Sequence, residues 1–220
     1  MKMKKYLFLL VAVASLGLTT GCDDDDDRTV PVPDAVADTF GGMYPNASDV
    51  EWTGRNGYLI ADFRDGNTDM QAWFTAGGDW RMTETDLLYD QLPEAVRKAF
   101  SASEYADWRV DEVDMLDRDG VEVVYVVEVE RDGREMDLYY SADGVLVKSV
   151  ADAGDDYDYG DFIPSRPSDG IGDFIASRYP GARVIDVDAE YEGTEVELID
   201  ADRVKRELFF DRSDAWQYTK

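Results

Sequence analysis

The chain has 220 residues, of which 49 are acidic and 22 are basic, so its formal net charge at neutral pH is −27. Apolar residues make up 44% of it, which is enough to form a buried core. There is no histidine, and Cys22 is the only cysteine. These counts exclude catalysis by histidine, zinc sites built from histidine and cysteine, and an intramolecular disulfide.

The N-terminus has the order of segments found in a bacterial secretory signal. Three lysines precede an apolar run over residues 6–18, which is short for a membrane span, and small residues then lead to Gly21 and Cys22. This arrangement resembles the lipobox of bacterial lipoproteins, although Thr19 stands where that family prefers leucine. The resemblance implies that residues 1–21 are a removable signal peptide and that Cys22 becomes the lipidated N-terminus. An uncleaved anchor is the alternative.

An acidic run follows the cysteine directly. Its residues are Asp23, Asp24, Asp25, Asp26 and Asp27. Because adjacent carboxylates repel one another and cannot pack, residues 22–31 are predicted to form an extended, solvated tether. The run also resembles the surface-export signal of Bacteroidetes lipoproteins, with a plain spacer as the alternative. We therefore expect an outer-membrane lipoprotein that lies on the cell surface or on the periplasmic face.

The charge of the mature chain limits its partners. Removal of residues 1–21 takes away three lysines and no acidic residue, so the net charge becomes −30. Such a charge opposes binding to nucleic acid and favours cations and basic proteins. Solubility alone is the alternative explanation.

Three later segments repeat one pattern, a short helix followed by strands of alternating polarity and glycine-containing turns. Module 1 covers residues 32–90, module 2 residues 91–150 and module 3 residues 163–220. In each module an aromatic strand residue is followed six positions later by a second apolar residue. The pairs are Phe74 and Trp80, Tyr140 and Leu146, and Phe210 and Trp216.

Module 2 shows the pattern most clearly. Pro93 suits the first turn of a helix, because its missing N–H would be unpaired there in any case. Apolar residues of one parity over residues 121–129 predict a strand with one buried face, and a phase slip between Val110 and Val113 predicts a bulge. We expect one helix on an antiparallel meander, with the other sheet face in solvent and neighbouring sheets paired at their edges.

The two connections between modules differ in composition. Residues 83–91 are few and include apolar side chains, which indicates that modules 1 and 2 pack together. Residues 151–162 are rich in aspartate and glycine, and they predict a loose acidic linker that lets module 3 move.

The helix openings and strand ends resemble those of PepSY-like domains. The residues that carry the resemblance are Val32-Pro33-Asp34-Ala35-Val36, Leu92-Pro93-Glu94-Ala95-Val96, Tyr44-Pro45, Tyr179-Pro180 and Asp143-Gly144. The resemblance covers nearly all of residues 32–220 in three copies, and module 3 departs from it most. It implies the α+β fold of β-lactamase-inhibitor-like proteins, with tandem modules that each pack a helix on an antiparallel sheet. It also implies binding or inhibition of other proteins, without catalysis.

A calcium site is the most specific chemical hypothesis, since Ca²⁺ prefers clustered carboxylate oxygens. The candidate ligands are Asp152, Asp155, Asp156, Asp158 and Asp161. Their spacing does not fit an EF-hand loop, so a solvated linker is the alternative. No other cofactor is expected. No phosphate-binding loop or nucleophile motif is present, and acidic pairs carry no information among 49 acidic residues, so the chain is predicted not to be an enzyme.

Three aromatic residues, Trp73, Tyr139 and Phe209, are out of phase with the core positions of their strands. Aromatic side chains on an open sheet face can form a platform for a protein partner, and packing between modules is the alternative. The sequence therefore predicts a non-enzymatic, lipid-anchored cell-envelope protein that binds or inhibits a protein partner through sheet faces and an acidic surface. A calcium-responsive envelope protein and a structural spacer are the alternatives.

Overall fold

The computed structural model describes residues 30–151 and 159–220, except for the side chains of residues 160 and 161. Module 1 contains α1 (Asp34–Met43), β1 (Ala47–Arg55), β2 (Tyr58–Asp65), β3 (Thr68–Thr75) and β4 (Trp80–Asp86). Module 2 contains α2 (Glu94–Ser101), β5 (Arg109–Arg118), β6 (Val124–Arg131), β7 (Arg134–Ser141) and β8 (Leu146–Ala151). Module 3 contains α3 (Asp169–Arg178), β9 (Arg183–Ala189), β10 (Gly193–Ile199), β11 (Lys205–Asp211) and β12 (Trp216–Thr219).

Short 3₁₀ helices at Tyr89–Gln91 and Tyr159–Phe162 complete the described elements. Each module is thus a helix followed by four consecutive antiparallel strands. None of the helices in the described ranges has the length and hydropathy that crossing a bilayer requires.

Proline starts two of the three long helices. Pro33 and Pro93 directly precede α1 and α2, and the carbonyl of Pro33 accepts hydrogen bonds from Val36 and Ala37 at 3.0 and 3.1 Å. In α3 the Oγ of Ser168 instead accepts from the N–H of Ile171 at 3.2 Å, a cap that contributes about 1 kcal/mol. Module 3 therefore departs from the shared opening in structure as well as in sequence.

The six-residue spacing found in the sequence corresponds to the same hairpin in all three modules. Phe74 lies opposite Trp80, Tyr140 opposite Leu146, and Phe210 opposite Trp216. In each hairpin a bulge lies immediately before the aromatic residue, whose exposure is at most 1%. Because register and bulge coincide, residues can be compared directly between modules.

Each helix packs on one sheet face, which we call the front face, and the opposite side is the back face. The front-face cores are made by three groups of side chains. They are Val36, Phe40, Ala61, Phe63, Ala72 and Phe74 in module 1; Val96, Phe100, Val113, Val127, Val129, Leu138 and Tyr140 in module 2; and Ile171, Ile175, Val187, Val196, Leu198, Leu208 and Phe210 in module 3. A large apolar side chain buried in this way contributes about 1.5–3 kcal/mol.

Modules 1 and 2 share one eight-stranded sheet, because β4 pairs antiparallel with β5. This confirms the expectation of edge-joined sheets for modules 1 and 2, whereas the expectation is wrong for module 3, whose strands form a sheet of their own. The bulge predicted between Val110 and Val113 is also present, as a register shift in the pairing of β5 with β6.

Module 3 forms a separate four-stranded sheet and packs its back face against that of module 2. Ile185 and Ile199 of module 3 meet Val124 and Val126 of β6 and Val147 of β8. The expectation that the second sheet face lies in solvent is therefore wrong for module 2. The reason is visible in β6, which is apolar at consecutive positions and is buried on both faces.

The predicted loose linker is packed at its C-terminal end. Phe162 is 6% exposed and stacks on Tyr139, with 4.6 Å between ring centroids and 8° between ring planes. Tyr159 and Ile163 contact the back face of module 1 around Trp73. Residues 152–158 lie outside the described residues.

Candidate partner-binding surface

The three predicted platform residues occupy one position of the repeat but have different surroundings. Trp73 and Tyr139 are each 1% exposed. Tyr159 and Ile163 cover Trp73, and Phe162 covers Tyr139. The prediction that these two aromatic side chains offer a surface to a partner is therefore wrong, since the chain packs its own residues on them.

Phe209 is the member of this set that stays at the surface. It is half-buried and stacks on Tyr218 of the neighbouring strand, with 5.3 Å between centroids and 16° between planes. Tyr218 itself is 42% exposed. The back-face packing with module 2 involves Ile185 and Ile199, at the other side of the module 3 sheet.

The front face of β12 carries a second exposed ring. Trp216 is 46% exposed and stacks on Phe174 of α3 at 5.9 Å. Its Nε1 donates to the Oγ1 of Thr219 at 3.1 Å, and the hydroxyls of Thr219 and Tyr179 lie 3.2 Å apart. We call Trp216, Tyr218, Phe209 and the outer edge of β12 the β12 surface.

Sequence reasoning assigned Trp216 to the repeat and missed Tyr218 altogether. The available signal was the presence of two large aromatic residues, Trp216 and Tyr218, in one strand of only four residues. Large aromatic residues at exposed strand positions are enriched in protein–protein interfaces.

Carboxylates surround the back-face part of this surface. Glu195 lies opposite Phe209 in the pairing of β10 with β11, and the carboxylate oxygens of Glu195, Glu197 and Glu207 lie within 4.8 Å of one another. Burial, followed by repulsion from Glu207, raises the pKa of Glu195 to about 7. A hydrogen bond from Lys220 lowers the pKa of Glu207.

These carboxylates do not by themselves make a metal site. Lys205 pairs with Glu197 at 2.9 Å and Lys220 pairs with Glu207, so two ammonium groups already compensate two of the three carboxylates. In a second group of three carboxylates, Glu84, Asp86 and Asp114, the oxygens also lie within 4.8 Å of one another, and the hydroxyl of Tyr159 donates to Asp114 at 2.9 Å. We assign no ion to either group.

The calcium hypothesis rested on other residues. Asp152, Asp155, Asp156 and Asp158 lie outside the described residues, as does the side chain of Asp161. It stays a prediction, and a rise in melting temperature on addition of calcium would support it.

Arg118 lies buried in the joint between modules 2 and 3. Its side chain is 1% exposed and donates to the carbonyls of Phe162, Glu122 and Ile185 at 3.3, 3.4 and 2.6 Å. It also lies 3.5 Å from Asp186. Burial lowers the pKa of Arg118 and raises that of Asp186 to about 6, so both charges are incompletely compensated.

Comparison with known proteins identifies the family. Residues 57–148 match the family model described as "Putative beta-lactamase-inhibitor-like, PepSY-like", a span that lies in modules 1 and 2. The crystal structure of a BLIP-like protein from Bacteroides fragilis is 36% identical, with 61% of this chain and 97% of that chain covered and a TM-score of 0.57. The chain belongs to the PepSY-like, BLIP-like family.

Two further solved structures resemble this PepSY-like protein. A DUF2874 family protein from Bacteroides ovatus is 34% identical, with 60% of this chain and 94% of that chain covered and a TM-score of 0.56. A proposed periplasmic protein from Bacteroides eggerthii is 27% identical, with 56% and 90% covered and a TM-score of 0.53. Among curated proteins, none matches the chain.

The comparisons confirm the family and the α+β fold expected from the sequence. They do not test the predictions made for the N-terminus. Cys22 and the acidic run Asp23 to Asp27 lie outside the described residues, so lipidation and surface export stay predictions.

Proposed function

We propose that this PepSY-like protein is a non-enzymatic, lipid-anchored cell-envelope protein that binds or inhibits a protein partner through the β12 surface. The observation that carries the proposal is the contrast at one repeat position. Trp73 and Tyr139 are covered by the chain itself, whereas Phe209 and its stacking partner Tyr218 are accessible. The β-lactamase-inhibitor-like description of the family and the periplasmic description of a relative agree with this function.

The chemistry of the surface favours a basic partner. Aromatic side chains supply contact area at small entropic cost and are enriched among the residues that dominate binding energy. Glu195 and Glu207 lie beside Phe209 and Tyr218, in a chain with a net charge of −27. Arginine or lysine on the partner would meet both the carboxylates and the ring faces. Binding should therefore weaken as salt concentration rises.

A capture experiment tests the proposal. The chain from residue 23 onward is immobilised and exposed to a Bacteroides envelope extract at low and high salt. We expect salt-sensitive capture of a partner by the unchanged chain and loss of that capture with Tyr218→Ala. Tyr191→Ala is the matched control, because Tyr191 is 86% exposed but lies in the loop between β9 and β10. Equal capture by all three proteins would refute the β12 surface as the site.

Inhibition is tested separately from binding. The family description names β-lactamase inhibition, so β-lactamase turnover is measured at rising concentrations of the chain and of Tyr218→Ala. Inhibition by the unchanged chain alone would make β-lactamase the partner class. Absence of inhibition would leave binding, measured by capture, as the function.

The proposed anchoring rests on Cys22 and has its own test. We expect Cys22→Ala to move the protein from the membrane fraction to the soluble fraction. Replacing Asp23 to Asp27 by asparagine should lower its accessibility to external protease in intact cells while membrane association is kept. Membrane association that survives Cys22→Ala would contradict lipidation.

A further inference from the structure

β12 occupies the same place in module 3 that β4 occupies in module 1. In both strands a tryptophan Nε1 donates to the hydroxyl of a threonine three residues later, at 2.8 Å from Trp80 to Thr83 and at 3.1 Å from Trp216 to Thr219. The tyrosine that ends the preceding helix also bonds to that hydroxyl in both modules, Tyr44 in module 1 and Tyr179 in module 3. The two strands are therefore local copies of one structure.

The outer edge of β4 is paired with another strand. It pairs with β5, where Thr83 lies opposite Asp117 and Met82 lies opposite Arg118. The carbonyl of Arg81 accepts from the N–H of Asp119 at 2.8 Å, which shows that alternate backbone groups of β4 point towards β5.

The outer edge of β12 presents the same backbone groups. Lys220 donates to the carbonyl of Glu207 at 2.9 Å, so its backbone points inward and that of Thr219 points outward. Within the described part of the chain, β11 is the sole strand paired with β12. Tyr218 takes the place of Met82, the residue that lies opposite Arg118 in the β4–β5 pair.

The other outer strands carry features that block strand addition. On β9, the carbonyls of Val184 and Val187 accept from the backbone of Glu122 and Ser165 at 2.8 and 2.7 Å. On β8, the carbonyl of Val147 accepts from the ammonium of Lys205 at 2.7 Å. On β1, a register shift and the positive φ of Asp49 interrupt the first half of the edge, and Val30 lies against Gly54 in the second half. Among the described strands, β12 thus combines an open edge with exposed aromatic residues on both faces.

We propose that β12 is a strand-addition site, and that its occupant is an extended segment of a protein partner with arginine or lysine opposite Tyr218. The occupant follows from charge, since the three carboxylates of Glu195, Glu197 and Glu207 beside Phe209 outnumber the two ammonium groups that pair with them, in a chain with a net charge of −27. The inference rests on the proposed function and adds the way in which the partner is held. Backbone hydrogen bonds would supply affinity, and alternate side chains would supply specificity.

The test uses short synthetic peptides in which valine and arginine alternate. One version is unmodified, and a second is N-methylated at alternate residues, which removes the N–H groups of one edge and leaves the charge unchanged. We expect the unmodified peptide to bind the chain from residue 23 onward and the methylated peptide to lose binding, as measured by calorimetry. Equal binding of both peptides would show electrostatic attraction only and would overturn strand addition.

Variants of the chain locate the site. Thr219→Pro removes the outward N–H of β12 and should abolish peptide binding, whereas Ser149→Pro, at the equivalent position of β8, should leave binding unchanged. Thr219→Val keeps the N–H and removes the hydroxyl that contacts Tyr179 and Trp216, so it should bind like the unchanged chain. Loss of binding in Thr219→Val, or retention in Thr219→Pro, would overturn the proposal.

Two further outcomes separate this inference from the proposed function. If neither peptide binds while Tyr218→Ala still abolishes capture of an envelope partner, the function stands and strand addition is refuted. If light scattering shows the chain without peptide to be a dimer that Thr219→Pro dissociates, the occupant is a second copy of the chain, and the assignment to a basic partner segment is wrong.

Discussion

The back face of the sheet is covered in one part of the molecule and open in another. In modules 1 and 2 the covering residues are Tyr159, Phe162 and Ile163, together with the back face of module 3. In module 3 the equivalent residue, Phe209, is half-buried and stacks on Tyr218, which is itself 42% exposed. The same position of the repeat is therefore buried in modules 1 and 2, where other parts of the chain pack on it, and lies at the surface in module 3.

The covered region depends on individual side chains to a greater degree than the edge pairing of modules 1 and 2. The β4–β5 pair is held by backbone hydrogen bonds, which most side chains permit. The attachment of module 3 instead needs the shapes of Phe162 and Ile185 and the charge of Arg118. Substitutions should therefore lower the free energy of unfolding most at the covered back face and least at its solvent-exposed border, where Arg166 pairs with Asp119.

The largest effect is expected from Arg118→Met. The substitution leaves three carbonyls and Asp186 without the guanidinium in a buried site, and it should lower the free energy of unfolding by about 3–5 kcal/mol. Arg131→Met is the control, because Arg131 also pairs with an aspartate, Asp107, but its side chain is 49% exposed. Its cost should be about 0.5 kcal/mol. Equal losses in urea unfolding would show that module 3 is not held by Arg118.

Phe162→Ala should have the next largest effect. It removes the ring that stacks on Tyr139 and should cost about 3 kcal/mol. Tyr218→Ala also removes one ring of a stacked pair, but from the open region, and should cost about 1 kcal/mol. Melting temperatures and urea midpoints of both variants measure the difference. A smaller loss for Phe162→Ala than for Tyr218→Ala would contradict the comparison of the two regions.

The covered region should also depend on pH. Burial raises the pKa of Asp186 from 3.8 to about 6, so the folded protein binds this proton more tightly than the unfolded chain. The resulting stability is fully present below the unfolded value and is lost as pH rises through about 6. We expect the unchanged chain to lose about 1–2 kcal/mol more than Asp186→Asn between about pH 5 and pH 7.5.

Glu195→Gln is the control for this pH dependence. The pKa of Glu195 is also raised, to about 7, and its contribution therefore has the same sign. The variant should lose that contribution and keep the one from Asp186. Identical unfolding curves for the unchanged chain and Asp186→Asn at every pH would rule out a titrating group at the joint.

The smallest effect is expected at the rim of the covered region. Arg166 donates to Asp119 at 2.8 Å, and its side chain is 61% exposed. Because solvent and salt screen such a pair, Arg166→Ala should cost at most about 0.5 kcal/mol. A loss comparable to that of Arg118→Met, measured in the same urea series, would mean that the rim holds module 3.

The glycine-containing turns of the hairpins were predicted from the sequence and are present in modules 1 and 2. Gly78 and Gly144 follow the aromatic anchors by four residues and have φ of 92° and 82°, and a Cβ on Gly144 would lie 2.4 Å from the carbonyl oxygen of Ala95. In module 3 the same turn position is Asp214, at φ 61°, and the nearby helix position is Gly170. A Cβ on Gly170 would lie 3.9 Å from the Oδ2 of Asp214, which is an ordinary contact distance.

The sequence by itself determined the repeat, the six-residue spacing within its hairpins and the bulge between Val110 and Val113, because these depend on residues close together in the chain. Alternation of polarity shows which side chains share a sheet face, but it does not show what covers that face. Tertiary structure alone decided that Tyr139 is core and that Phe209 is surface. The difference depends on contacts made across long stretches of chain, where Phe162 and module 3 return to the sheet of module 2.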